Sequence, residues 1–369
     1  MCRKQKLMVP QKQNESLRPV RISTPGRLCL FGEHSDWAAE YGIHKGFCIV
    51  TGTDQALSAV AGPSNRFVVE TQLPDELGRP SGRARQMSCL WEAQTLLKAA
   101  KDETEFFRYC AGVAYQIMTK WKNTKGIEIH IQKMDLPLKK GVSSSAAVCI
   151  LVAKAFDAVY NLRLFPHELM ELAYLGEKLT GSQCGRMDQA CIYGKTPVLL
   201  VFEKSKSVQV EPIFVGKDIY MFFVDLAGQK DTVKILSDLQ NHYLESTDLQ
   251  MALGQENEQI ARLAYRAFLE GDAAVLGELM TKAQQNFDRF VAPHSPEQLK
   301  SPLLHKLLNF EGISGHIYGG KGVGSQGDGT VQFVARSSSD RDEAIRKIKS
   351  AHPKMQCFPL TILSADSNR

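Results

Sequence analysis

Residues 139–147, KKGVSSSAA, join a predicted strand to a predicted apolar helix. A glycine followed by three small hydroxyl residues lets the backbone come close to a ligand. The start of the helix supplies N–H groups without intrahelical partners and the positive end of the helix dipole. This segment therefore predicts an anion site, most simply a site for phosphate.

The serines of this segment have a second interpretation. Ser143, Ser144 and Ser145 can cap the helix without any ligand, and a short run of serines by itself favours this simpler reading. One of the hydroxyls could also bind Mg²⁺, which prefers oxygen ligands. The segment is not a Walker A loop, because the pattern GxxxxGK[ST] does not occur here.

Upstream, residues 20–32, VRISTPGRLCLFG, are predicted to form a strand that ends in a turn. Four polar groups lie in or just after it: Arg27, Glu33, His34 and Asp36. Glu33 and Asp36 can accept hydrogen bonds from hydroxyls, and a site built in this way rejects analogues that lack them. His34 is expected to form hydrogen bonds or to be structural, since no second His or Cys lies at a metal-ligand spacing. The alternative for the whole segment is a charged surface turn.

Downstream, residues 181–190, GSQCGRMDQA, place a carboxylate just after a glycine-rich turn. Asp188 could orient or deprotonate an alcohol, and Arg186 could neutralise charge. The alternative for Asp188 is a helix cap. Glu177, near the end of the preceding predicted helix, is more typical of a solvated charge than of a metal ligand.

Composition limits the classes of function. The chain has 369 residues, of which 43% are apolar and 23% are charged, as in a globular protein of two joined halves. The formal net charge of +5 suits an anionic small ligand and is too scattered to indicate nucleic-acid binding. No apolar run approaches the length of a membrane span. Nine cysteines without a CxxC pair predict buried free thiols in a reducing compartment, with the cytoplasm as the expected location.

The predicted elements are rich in strands, then helical, then rich in strands again, which favours an α+β fold of two lobes. We expect a disordered arm over residues 1–18, an N-terminal lobe over 19–210 and a C-terminal lobe over 211–369. Strands are predicted at 20–32, 43–60, 126–132, 197–203, 219–225, 314–319, 329–335 and 357–363. Helices are predicted at 104–122, 141–161, 166–180, 232–246, 255–291 with an interruption at Gly271-Asp272, 297–310 and 340–351, and a surface loop at 72–86.

Three segments together resemble signature motifs of the GHMP small-molecule kinases, most of all of the galactokinase-like sugar kinases. Residues 25–37, PGRLCLFGEHSDW, resemble PGRxxLxGEHxDY, residues 141–147 resemble the GLSSSA phosphate loop, and residues 184–189, CGRMDQ, resemble CGxMDQ. They occur in the family's order, and the resemblance spans about residues 20–335. It implies an α+β, two-lobed GHMP kinase fold. In that fold the N-terminal lobe resembles the β-α-β fold of ribosomal protein S5, and the C-terminal lobe has a ferredoxin-like split β-α-β sheet.

The resemblance also implies a role for each matching residue. Asp188 would be the base or the positioning group for the sugar hydroxyl, and Arg27 would lie beside it and counter charge on the phosphoryl group. Ser145 and Glu177 would hold Mg²⁺. The residues that would bind the sugar are Glu33, His34 and Asp36. Those that would surround the ATP phosphates are Lys139, Lys140, Gly141, Val142, Ser143, Ser144, Ser145 and Ala146.

Other segments depart from the family's pattern or leave two interpretations open. Residues 319–329, GGKGVGSQGDG, stand where the family has a GAGxGG turn, and residues 38–41, AAEY, replace a small Asn-Gly-Gly turn. These departures leave open which sugar the pocket accepts. Residues 225–232 could add polar contacts, with Asp231 as a substrate contact, or could form an ordinary loop in which Asp231 caps a helix.

We therefore expect an ATP-dependent sugar kinase that transfers the γ-phosphate of ATP to the anomeric (C1) hydroxyl of a monosaccharide, with Mg²⁺ as cofactor. The protein would be a monomer or a homodimer, without a nucleic-acid or membrane partner. One alternative is a GHMP kinase for a non-sugar alcohol of the mevalonate or homoserine type, although such an acceptor would leave several carboxylates unpaired. The other is a catalytically silent sensor of sugar and ATP, against which the presence of Asp188, Arg27, Ser145 and Glu177 argues.

Overall fold

A computed structural model describes residues 19–74, 80–136, 143–365 and 367. The N-terminal half builds a sheet in the order β4-β3-β5-β2-β6-β7, and β1 pairs with β2 off this path. Neighbouring strands are antiparallel except for β3 and β5. The strands are β1 Val20–Phe31, β2 Gly46–Pro63, β3 Arg66–Pro74, β4 Pro80–Leu90, β5 Ile127–Met134, β6 Val198–Phe202 and β7 Gln209–Pro212.

Strand β2 is the centre of this sheet, because it pairs with β1, β5 and β6. The strand predicted at 126–132 is confirmed as β5, and its alternating residues Ile127, Ile129 and Ile131 are buried as the period of two requires. The helices of this half are α1 Ser35–Ala38, α2 Ala93–Lys101, α3 Arg108–Lys120, α4 Ser144–Tyr160 and α5 Pro166–Lys178. Helix α4 is apolar on most of its surface and is buried between α3, α5 and the strands β1 and β2.

The C-terminal half builds a four-stranded antiparallel sheet in the order β11-β8-β10-β9. Its strands are β8 Ile219–Asp225, β9 Ile317–Gly322, β10 Thr330–Ala335 and β11 Gln356–Ile362. The helices are α6 Thr232–Tyr243, α7 Thr247–Met251, α8 Asn257–Glu270, α9 Ala273–Asn286, α10 Pro296–Leu299, α11 Pro302–Leu308, α12 Glu311–Ser314 and α13 Ser338–Ala351. The chain therefore has a mixed α+β architecture, as predicted.

Both faces of the second sheet are covered by helices. Phe222 and Val224 of β8 pack with α11, α12 and α13, whereas Met221 and Phe223 pack with α8 and α9. Helices α8 and α9 also contact β1 of the first sheet. One apolar core therefore runs from the first sheet through these two helices to the second sheet, and it brings the turns at the ends of β1 and β9 together.

The boundary between α8 and α9 follows the sequence signal at Gly271-Asp272. Gly271 ends α8 in the left-handed conformation, with a φ of 70°, and Asp272 accepts hydrogen bonds from the backbone N–H groups of Ala274 and Val275. A glycine after a helix and an aspartate before the next one supply the end groups that each helix lacks. The predicted interruption is therefore confirmed.

The surface loop predicted at 72–86 is wrong for most of its length. β3 continues to Pro74, and β4 begins at Pro80 and pairs with β3. β4 is the edge strand of the sheet, where proline, glycine and charged residues are tolerated because one side has no neighbouring strand. Helix α2 was not predicted. Within the described residues, no helix is both long and apolar enough to cross a membrane.

Candidate active site

Arg27 and Asp188 form the centre of the site. Arg27 lies on β1, and Asp188 begins a short 3₁₀ helix over Asp188–Tyr193. Two nitrogens of the guanidinium donate to Asp188 Oδ1, the Nε at 3.1 Å. The Arg27 side chain is buried, whereas 23% of the Asp188 side chain remains exposed. The ion pair therefore fixes the carboxylate while it keeps access to solvent, as a group that acts on a substrate hydroxyl requires.

The predicted phosphate segment begins helix α4. Ser143 has a left-handed φ of 52°, and its side chain makes no capping hydrogen bond. The simpler reading, in which this serine caps the helix, is therefore wrong for Ser143. Ser144, Ser145 and Ala146 form the first turn of the helix, and the predicted phosphate-binding residues 139–142 lie outside the described residues.

Glu177 lies at the end of α5 and reaches the first turn of α4. Its carboxylate receives a hydrogen bond from Ser145, and Gln189 Nε2 donates to Oε2 at 2.8 Å. The residue is 2% exposed, so its interpretation as a solvated charge is wrong. Burial, together with the negative charge of Asp188, raises the pKa of Glu177 to about 7, against the opposing effect of these two hydrogen bonds.

These oxygens fit the magnesium ion that the sequence predicts. Ser145 offers a hydroxyl, Glu177 a buried carboxylate, and Asp188 a second negative charge nearby. Mg²⁺ prefers such ligands and completes its shell with water and phosphate oxygens. The part of the chain that the structure describes contains no cluster of three or more His, Cys, Asp and Glu that would hold a metal alone. A cation here would therefore depend on the phosphates of the substrate.

Asp36 lies on helix α1, within reach of the charge of Asp188. It is buried, and its Oδ2 accepts a hydrogen bond from the backbone N–H of Met187 at 3.1 Å. A Cβ at Gly185 would lie 2.0 Å from the same oxygen, so only glycine permits this approach. Burial and the charge of Asp188 raise the pKa of Asp36 to about 6.

His34 is held inside the protein before α1. Its φ is 69°, its Nδ1 accepts a hydrogen bond from Trp37 Nε1 at 3.0 Å, and its ring stacks on Phe287 at 6.0 Å. Burial and the positive charge of Lys230 lower the pKa of His34 to about 4, so the ring is neutral at pH 7. Because an indole N–H can only donate, Nδ1 carries no proton, and the proton of His34 lies on Nε2. The backbone of Ser325 faces this ring.

Glu33 has a partner that the motifs did not predict. Its Oε1 accepts a hydrogen bond from Lys321 Nζ, and the same ammonium donates to the carbonyl of Gly322 at 2.9 Å. The two side chains are 4% and 1% exposed. Lys321 belongs to β9, so this buried ion pair joins the two halves of the protein. The sequence signal was a lysine next to Gly322 within the glycine-rich segment 319–329.

The other departures in that segment are structural. Asp328 Oδ1 accepts hydrogen bonds from the backbone N–H groups at the start of α11, Leu303 at 2.9 Å and Leu304 at 3.0 Å. The N–H of Gly322 donates to Gln284 Oε1 at 2.7 Å. The hydroxyl of Ser325 lies 3.2 Å from that of Thr232. The turn is therefore braced by α9, α11 and α6.

Two predicted polar residues lie apart from this centre. Arg186 pairs with Glu171, at 3.0 Å from its Nε, and with Glu40, and it covers the ring of Tyr174. Its suggested role in neutralising charge at the site is therefore wrong.

Asp231 is exposed and precedes α6, where its carboxylate accepts a hydrogen bond from the N–H of Lys234 at 3.0 Å. The cap that the sequence suggested is thus present, and a contact of Asp231 with substrate stays a prediction.

The described site can position an alcohol next to Asp188 and a phosphoryl group next to Arg27 and the first turn of α4. Such an arrangement suits phosphoryl transfer, which depends on alignment and on positive charge more than on covalent chemistry. The fold and the site together suit a small-molecule phosphotransferase.

Comparisons with known proteins agree with this class. The sequence profile described as "GHMP kinases N terminal domain" matches residues 108–195. Galactokinase from Pasteurella multocida is 25% identical over 370 residues, which cover 89% of this chain and 88% of that enzyme. Galactokinase from Chloroflexus aurantiacus is 29% identical over 177 residues, 46% of this chain, and the match spans only 40% of the length of that relative.

Solved structures share the fold. Lactococcus lactis galactokinase complexed with galactose has a TM-score of 0.70 at 17% identity, with 95% of each chain covered. Methanococcus jannaschii mevalonate kinase has a TM-score of 0.69 at 17% identity, with 94% of this chain and 98% of that chain covered. The chain is therefore similar to the GHMP kinases in the sequence of residues 108–195 and in its fold, and galactokinases are among its relatives.

Proposed function

We propose that this protein is an ATP-dependent sugar kinase that transfers the γ-phosphoryl group of ATP to the anomeric (C1) hydroxyl of a monosaccharide. The observation that carries the proposal is the Arg27–Asp188 ion pair, which lies near the contact between Ser145 and Glu177. The galactokinase relatives support a sugar as the acceptor. The cytoplasm is the location that we propose, by analogy with such enzymes.

In the proposed reaction the acceptor hydroxyl lies against Asp188, which orients it and receives its proton. The acceptor oxygen forms a bond to the γ-phosphorus while the bond from that phosphorus to the β-phosphate oxygen breaks and ADP leaves. Arg27 lies next to the transferred group and offsets the charge that develops on it. Ser145 and Glu177 would hold Mg²⁺, which supplies charge neutralisation of the phosphates when it is bound.

The sugar would lie between Asp188 and the segment that contains Glu33, His34 and Asp36. Asp36 is buried within reach of the charge of Asp188, which places a second carboxylate next to the acceptor. The neutral ring of His34 orders this segment through Trp37 and Phe287. A site with several buried carboxylates suits an acceptor with several hydroxyls more than a single-hydroxyl acid.

A coupled assay of ADP release over hexoses, pentoses, uronic acids, mevalonate and homoserine tests the proposal. We expect turnover with at least one monosaccharide and a phosphorylated product that has lost its reducing end, since substitution at C1 blocks ring opening. Turnover with mevalonate or homoserine, and with no sugar, would show that the acceptor is not a sugar. ATP binding without turnover of any acceptor would contradict the enzyme and favour the sensor.

A further inference from the structure

Lys321 is the one buried lysine that meets a predicted sugar-binding carboxylate among the described residues. It lies on β9, 288 residues from Glu33, and its side chain is 1% exposed. A lysine is rarely buried to this degree unless it is paired, and the pairing here is with Glu33 and the carbonyl of Gly322. The backbone next to Lys321 is held by α9, because the N–H of Gly322 donates to Gln284 on that helix.

The pair is not saturated. An ammonium group has three N–H donors, and two of those of Lys321 go to Glu33 Oε1 and to Gly322. The second oxygen of Glu33, Oε2, accepts no hydrogen bond from the residues that the structure describes, and it is not among the atoms sealed from solvent without a partner. One donor and one acceptor of opposite charge therefore remain next to each other.

A hydroxyl group matches this combination. It donates one hydrogen bond and accepts others, so a single hydroxyl can donate to Glu33 Oε2 and accept from Lys321 Nζ. A carboxylate at the same place would meet the charge of Glu33, and an ammonium would meet that of Lys321. A hydrogen atom in place of the hydroxyl would leave one N–H of Lys321 and one oxygen of Glu33 without a hydrogen bond.

We propose that Lys321 is a specificity-determining residue, which with Glu33 binds one neutral hydroxyl of the acceptor at a position other than the one phosphorylated. This inference rests on the proposed function and narrows its acceptor to a neutral polyhydroxyl compound. Lys321 also positions Glu33, since it fixes one of the two carboxylate oxygens. The predicted preference is for a neutral monosaccharide over its uronic acid and over one particular deoxy analogue.

The test is a double-mutant cycle with K321M, E33Q and the combined variant, measured with the best sugar of the wild-type protein. The exposed pair Lys195–Asp54 supplies the matched control, as K195M, D54N and their combination. We expect K321M and E33Q each to raise the KM for the sugar at least tenfold, with the KM for ATP changed less than twofold. The KM of the double variant for the sugar should be no higher than the higher of the two single-variant values, because the two residues act on the same hydroxyl. The three control variants should keep the wild-type KM for the sugar.

A panel of deoxy sugars supplies the second readout. The wild type should reject one deoxy analogue by about 10²-fold or more in kcat/KM, and K321M/E33Q should lose most of that discrimination. K321M alone leaves the buried carboxylate of Glu33 without its partner and can prevent folding. In that case the same measurements are made on the double variant. Unchanged KM and unchanged deoxy-sugar discrimination in a folded double variant would overturn the proposal. The Lys321–Glu33 ion pair would then have only a structural role.

The proposed function can fail separately. If the wild type binds ATP and turns over no sugar, the kinase proposal fails first. Binding of sugar by the Lys321–Glu33 pair is then tested by the shift in Tm that sugar causes in the wild type and in K321M/E33Q. A shift that the double variant loses would support the hydroxyl site, and equal or absent shifts in both proteins would overturn it.

Discussion

The guanidinium of Arg27 holds Asp188 from a position 161 residues earlier in the chain, with its Nε 3.1 Å from the carboxylate Oδ1. Strand β1 and the 3₁₀ helix at Asp188–Tyr193 supply the two ends of this contact. Arg27 is buried in this pair, whereas Asp188 is partly exposed and so stays accessible to a substrate.

Replacement of Asp188 by asparagine should lower kcat for phosphoryl transfer by about 10²–10⁴-fold, the range observed for general acid–base groups. The amide keeps the shape of the side chain but cannot take the proton of the acceptor. Binding of ATP, followed by fluorescence titration with a labelled analogue, should change little.

The control for this change is D54N, at an exposed carboxylate that pairs with Lys195. It should leave kcat unchanged. A D188N protein with wild-type kcat would remove Asp188 from the mechanism.

Glu177 should make stability depend on pH in a particular direction. Burial and the charge of Asp188 raise the pKa of Glu177 to about 7 from an ordinary 4.5. Between these values the native state holds a proton that the unfolded chain has released, so the free energy of unfolding falls as the pH rises from about 4.5 to about 7. In E177Q this decrease should be smaller, as measured by Tm at pH 5 and at pH 7.5 without metal.

The half-exposed Glu171, on the same helix, supplies the control variant E171Q, which should follow the wild type. The contribution of Asp36, whose pKa is also raised, is common to all three proteins and cancels in the comparison. Parallel curves for E177Q and the wild type would contradict the assignment of this pH dependence to Glu177.

A methyl group at Gly185 should displace Asp36, because its Cβ would lie 2.0 Å from Asp36 Oδ2. Overpacking of this kind destabilises a protein by about 1–3 kcal/mol. We therefore expect G185A to raise the KM for the acceptor and to lower Tm. Kinetics over a range of sugar concentrations and a thermal melt measure the two effects.

Gly62 in β2 is the matched control, since a Cβ there would meet nothing within 4 Å. G62A should keep the KM of the wild type. If G185A did the same, Asp36 would not depend on the close approach at Gly185.

Asp231 separates two roles that the sequence left open. If Asp231 acts only as the cap of α6, its replacement by alanine should lower the free energy of unfolding by about 1 kcal/mol. The KM for the acceptor should then stay unchanged. Denaturant unfolding and steady-state kinetics give both numbers. S337A, which removes the cap of α13, should show the same loss of stability. A tenfold rise in KM for D231A alone would instead make Asp231 a substrate contact.

Features that depend on neighbours a few residues away were predictable from the sequence. The strand β5 follows from alternating isoleucines, the division between α8 and α9 from Gly271-Asp272, and the start of α4 from the run of serines. The edge strand β4 was not predictable in this way, because its proline, glycine and arginine residues are tolerated only where the sheet ends. Local propensity is overruled there by the position of the strand in the sheet.

The sequence by itself therefore determined the alternation of elements, the start of α4 and the residue types of the candidate site. Only the tertiary structure decided which of these residues meet. It buried Glu177 against Ser145, turned Arg186 away toward Glu171, and placed Lys321 on Glu33. Contacts between residues hundreds of positions apart depend on how sheets and helices pack, and a pattern within one short segment carries no record of that packing.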